Sequence, residues 1–242
     1  MRRPAWTFAA ITLIACGPST AEQDEGGPAE MPIEVRTEKN VPLPLVPVDD
    51  NVRHDTLFVQ VTFDLGDGTF LMVARNVEET FEGLRLFRYH LLPDSAADVI
   101  AFSTPGYDSW TMLPTFFRMD SLDKGWTLLA NFGEKQSWGQ KVMRLDATGF
   151  HDLGFLDAAL PERVTEGDTT ELRRGNIAPL TRLRSAGDTL TITFATDSVY
   201  LYDDQAGHTD VILPAQDVQY RLVPGALFLS VKGELRAVKP PA

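Results

Sequence analysis

The chain has 242 residues, 43% of them hydrophobic, with 34 Asp and Glu against 22 Lys and Arg and a formal charge of −12. Such a surface repels nucleic acid and anionic headgroups, because binding to phosphates depends on clustered basic residues. Arg173-Arg174 is the only basic doublet after Arg2-Arg3, so no nucleic-acid partner is expected.

The N-terminus opens with Arg2 and Arg3, followed by an uncharged apolar run, Ala5 to Ala15. A membrane-spanning helix needs about 20 apolar residues, so this run is too short to cross a bilayer. It fits the apolar core of a secretory signal, roughly 7–15 residues long. The run ends in Leu13-Ile14-Ala15-Cys16, with Leu three positions before the cysteine and a small residue directly before it. This segment resembles the lipobox of bacterial lipoprotein precursors, and the resemblance covers residues 1 to about 20.

The resemblance implies that the Cys16 thiol receives a diacylglyceryl group and that its freed amine is then acylated. Two or more chains hold a protein stably on a bilayer without crossing it. Gly17, where an Asp would retain a lipoprotein in the inner membrane, implies the outer membrane if the cell has one. Loss of residues 1–15 removes Arg2 and Arg3 and takes the charge from −12 to −14. No cysteine follows Cys16. A disulfide, a thiolate zinc site, an iron–sulfur cluster and a cysteine nucleophile are therefore excluded from the exported domain.

Residues 17–50 contain six prolines and eight acidic residues. Charged, proline-rich chain buries too little to offset the entropy of ordering, which suits a tether. The more apolar stretch Val41–Val48 is expected to dock partly on the domain. The expected organisation is a signal peptide at 1–15, the lipidated cysteine and tether at 16–50, and a single β-rich domain at 51–242.

Beyond residue 50 the periodicity is that of strands. Leu57, Val59, Val61 and Phe63 alternate with polar positions, and Gly66-Asp67-Gly68 turns the chain into Thr69–Ala74. Leu84–Leu91, Trp126–Phe132, Gln140–Leu145 and Ile177–Leu183 are further candidate strands. Thr189–Phe194 alternates cleanly, and Val199–Tyr202 and Val211–Leu213 follow. Val223-Pro224-Gly225-Ala226 reads as a type II turn joining Val218–Leu222 to Leu227–Val231. Only Glu78–Glu82 and Ser95–Asp98 suggest a helical turn. The fold class is all-β, with little helix: an antiparallel sandwich, an irregular barrel or partial propeller-like sheets.

Catalytic signals are weak. His54, His90, His151 and His208 have no metal-binding spacing. Ser137 lies in Glu134–Gly139, which lacks the first glycine of a nucleophile elbow, and Ser109 fits no better. Asp64–Gly68 is better explained as a hairpin turn than as a calcium loop, since it lacks alternate acidic positions and a distal Glu. Asp203-Asp204 reads as a solvated acidic turn. No cofactor, metal ligand or catalytic residue is assigned.

Trp110, Phe116, Phe117, Trp126, Phe132 and Trp138 crowd together. Most are expected in a core, with Trp126 buried by strand alternation. Trp110 and Trp138 lie among polar residues and are the candidate ligand contacts. The sequence thus suggests a membrane-anchored envelope lipoprotein that binds a glycan or a protein partner, or serves structurally, without catalysis. The alternative is an extracytoplasmic glycan- or ester-directed hydrolase with carboxylates that the sequence does not identify.

Overall fold

Turn chemistry and period-two alternation carry most of the chain into antiparallel strands. The computed structural model describes residues 35–48, 52–78, 83–106, 112–118, 125–133, 135–203 and 209–238. Three short strands come first: β1 (Val35–Thr37), β2 (Lys39–Asn40) and β3 (Leu45–Val46). Next come β4 (Leu57–Asp64), β5 (Phe70–Asn76), β6 (Arg85–Leu91), β7 (Ala97–Phe102) and β8 (Pro114–Arg118). They are followed by β9 (Trp126–Gly133), β10 (Ser137–Asp146), β11 (Gly149–Leu156), β12 (Ala158–Glu166) and β13 (Thr169–Gly175). After a 3₁₀ turn at Ala178–Leu180 come β14 (Thr181–Ala186), β15 (Thr189–Phe194), β16 (Ser198–Asp203) and β17 (Thr209–Pro214). The chain closes with β18 (Val218–Val223), β19 (Ala226–Val231) and β20 (Glu234–Ala237).

These strands form four antiparallel sheets. Sheet I has the order β3-β4-β5-β6-β7 and sheet II the order β11-β10-β9-β8-β2. Sheet III runs β13-β12-β16-β17 and sheet IV runs β1-β14-β15-β18-β19-β20. The fold is all-β and, among the described residues, no sheet closes on itself, which removes the barrel and agrees with stacked sheets.

Residues 35–48, placed in the tether by their prolines and charges, are built into the sheets. β1 pairs with β14, β2 with β8 and β3 with β4, so this segment edges three sheets in succession. Composition misses this because edge pairing uses backbone groups and needs few buried side chains. Ile177–Leu183 also differs from a continuous strand. Asn176 Oδ1 accepts the Ala178 amide at 3.1 Å and Pro179 has no amide to pair, so a 3₁₀ turn precedes the strand. Ser95, read as part of a helical turn, adopts a φ of 64° in a tight turn before β7.

Sheet II is the central layer. In β9 the side chains of Trp126, Leu128 and Ala130 join Phe63, Leu71, Val73 and Leu86 of sheet I in one apolar cluster. Leu129 points to the other face and packs with Leu183, Ile192, Val199, Leu201 and Tyr220 of sheets III and IV. Both faces are therefore covered, which explains a near-continuous apolar run, Trp126–Ala130, in place of strict alternation. Trp126 is buried as expected, and Phe116 packs edge-on against it at 5.9 Å between ring centroids. The expected type II turn is present: Gly225 has a φ of +77°, which a residue with a side chain rarely adopts.

The β10–β11 hairpin carries a pH-sensitive turn. Asp146 Oδ1 accepts the Thr148 hydroxyl at 2.6 Å and its amide at 2.7 Å, with His151 Nε2 at 3.3 Å. The Thr148 hydroxyl first, then its amide and His151, hold the Asp146 carboxyl down at about 2, against an ordinary value of 3.8. A depressed folded value means the contribution is present above the unfolded value and is lost as pH falls through about 2. NMR titration of the Asp146 carboxyl is expected to give a midpoint well below 3.8, moved upward by Thr148→Ala. A midpoint at the ordinary value would contradict these bonds.

Candidate functional site

Trp138 occupies an irregular step in the sheet. β10 pairs Ser137 with Gly133 and Gly139 with Phe132, so Trp138 is an extra residue in a bulge. Bulges bend a strand and re-aim a side chain, and they recur beside functional sites. Gly139 makes this bulge possible. A Cβ there would lie 2.6 Å from the Phe155 ring and collide with the Leu156 carbonyl oxygen. As a result Trp138 is 43% exposed, although its strand belongs to the central layer.

Trp138 borders a cleft of about 410 Å³ lined also by Phe132, Phe155, Lys141, Arg174 and Tyr202, with Asp152, Asp157 and Asp210. The Phe132 ring lies 5.8 Å from Trp138 and 5.6 Å from Phe155, giving one continuous aromatic wall. The size is that of a small-molecule site, with an aromatic wall on one side and five charged side chains around it.

Arg174 organises the polar side. Strand alternation sends Arg173 outward to Glu166 at 2.8 Å and Arg174 inward, where its side chain is 9% exposed. Its Nε donates to the Ser137 carbonyl at 3.0 Å, and Nη2 donates to the Trp138 carbonyl at 3.1 Å. Nη2 also reaches Asp157 Oδ1 at 2.8 Å, and Nη1 reaches Asp210 Oδ1 at 2.5 Å. The guanidinium further lies 5.4 Å from the Tyr200 ring. One side chain of sheet III thus fixes the backbone beside the bulge and two carboxylates, as the planar five-donor fork of arginine permits. Burial, then the Asp157 charge, push the nearby Tyr220 phenol far above its ordinary range, so it remains neutral.

Behind the bulge lies a buried polar network. The Ser137 hydroxyl donates to Asn131 Oδ1 at 2.7 Å. The Gln140 amide donates to Asn131 Oδ1 at 2.9 Å and to Asn176 Oδ1 at 3.2 Å. Ser137 is therefore a structural hydroxyl held by amides.

The other candidates are scattered. Cys16, Trp110, Ser109 and His208 lie outside the described residues. His54 bonds Thr56 beside β4, and His90 is an exposed residue of β6. In Asp64–Gly68 the Asp64 carboxylate accepts the Gly66 amide at 2.7 Å, and Asp67 accepts the Thr69 amide at 2.9 Å and pairs with Arg88 at 2.8 Å. Those carboxylates serve the hairpin. Among the described residues no group of three or more metal-binding side chains occurs.

Of the named ligand contacts, the structure places Trp138 on the cleft. Arg174, Asp157, Asp210 and Phe155 were not anticipated; the one signal was the doublet Arg173-Arg174 in a strand, whose members must face opposite ways. No family model, curated protein or solved structure matches this chain.

Proposed function

We propose that this protein is a lipid-anchored lipoprotein of the bacterial envelope that binds a ligand in the Trp138 cleft without transforming it. The observation that carries the binding function is the bulge-presented, exposed Trp138 beside carboxylates preset by a buried arginine. A glycosidase needs one carboxyl as acid and another as base or nucleophile. Here Asp157 and Asp210 both pair with the same guanidinium, which suits two anions that orient a ligand.

The anchor is Cys16, with the outer membrane as its address in a cell that has one, and the partner is an envelope glycan or protein. Among the described residues no helix is long and apolar enough to cross a membrane. Cys16→Ala is expected to abolish incorporation of labelled palmitate and to leave unprocessed precursor; retained label would refute the anchor. Trp138→Ala is expected to remove binding of solubilised envelope material while changing stability by less than about 1 kcal/mol, because the ring is half-exposed. Undiminished binding would exclude the cleft.

A further inference from the structure

The cleft does not end at its aromatic wall. A second depression of about 880 Å³ adjoins it, bordered by Leu190, Leu222 and Leu227 of sheet IV and by Pro224 in the β18–β19 turn. The two share Lys141, Asp152 and Gly154, which stand as a neck on their common border. At the neck Lys141 Nζ pairs with Asp152 Oδ2 at 3.1 Å and bonds the Thr104 hydroxyl, which also donates to Asp152 Oδ2 at 3.1 Å.

Three features restrict the occupant. First, three of the four lining carboxylates already face fixed cations: Asp152 faces Lys141, and Asp157 and Asp210 share Arg174, while Asp188 borders the wider depression. A cationic ligand would have to compete with fixed cations for these three. Second, edge strand β11 is blunted against an added peptide strand. Its pairing slips between Val142 and Met143, leaving Leu153 as the extra residue, and the Gly154 amide is donated to Asp152 at 3.1 Å. Bulges and side-chain capping of this kind disfavour strand addition. Third, donors and acceptors stand together beside apolar and aromatic walls. Hydroxyl groups both donate and accept, and the faces of sugar rings are apolar, so a saccharide matches both sets.

We propose that the groove takes a linear neutral oligosaccharide. One ring stacks on Trp138, and the chain passes the Lys141–Asp152 neck into the wider depression. This deepens the binding function proposed above and rests on it.

Calorimetric titration of the detergent-solubilised full-length lipoprotein tests it, with cellohexaose, maltohexaose and chitohexaose, their disaccharides, and hexalysine as probes. At least one hexasaccharide is expected to bind about tenfold tighter than its disaccharide, since only the longer chain passes the neck. Trp138→Ala should weaken both lengths about tenfold or more, whereas Asp188→Asn, on the wider depression alone, should weaken the hexasaccharide and spare the disaccharide. Failure of all three hexasaccharides, affinity independent of length, or tighter binding of hexalysine would overturn the saccharide assignment. Solubilised envelope extract separates the two levels. A response to extract that depends on Trp138, without one to the saccharides, rejects the ligand class and keeps the cleft. No such response to either rejects both.

Discussion

Arg174→Leu is expected to lower the free energy of unfolding by about 3 kcal/mol, the low end for removing one partner of a buried ion pair. The low end applies because the Asp157 and Asp210 side chains are 35% and 34% exposed and water screens part of the loss. The substitution also takes donors from the Ser137 and Trp138 carbonyls, so the bulge loses its brace as the carboxylates lose their cation. Arg174→Lys keeps the charge without the fork and should recover only part of the stability. Urea unfolding would show the effect as a lower midpoint at unchanged slope. A change below about 0.5 kcal/mol, the range of an ordinary surface substitution, would contradict the role given to Arg174.

Leu129→Ala should cost about as much or more, roughly 3–4 kcal/mol, through lost burial and a cavity in a layer that cannot collapse. Leu128→Ala, one residue earlier, should cost a comparable amount although it empties the opposite cluster. Both leucines are fully buried, Leu128 against sheet I and Leu129 against sheets III and IV. If sheet II had only one covered face, one of the two would be nearly free to change. An exposed control, Leu172→Ala, is expected to stay within about 0.5 kcal/mol. A small effect at either 128 or 129 would remove the central-layer arrangement.

Legibility in the sequence followed the strength of local signals. Thr189–Phe194 and the Pro224-Gly225 turn were readable because alternation and turn chemistry are both local. β12 and β13 were not: Ala158–Glu166 contains Pro161 and charged residues, and Thr169–Gly175 is exposed at its start, so neither carries an apolar stripe. β11 hid behind its glycines and its bulge. The edge strands of residues 35–48 were masked by prolines, since their ladder depends on partners far along the chain.

The site divided in the same way. Trp138 stood out as a large aromatic among polar residues. Arg174, Asp157 and Asp210 could not, because pairing across sheets II and III depends on tertiary placement. Their meeting follows from strand facing and sheet stacking, which no short window contains.

The most direct test places a photo-crosslinking benzoylphenylalanine at position 202, on the cleft with Trp138 left intact, in the lipidated protein in intact cells, with position 165 as the exposed control. Irradiation is expected to give a covalent envelope adduct from position 202, lost on Trp138→Ala, and none from position 165. Absence of an adduct at 202, or equal adducts at both positions, would contradict a ligand-binding cleft at Trp138.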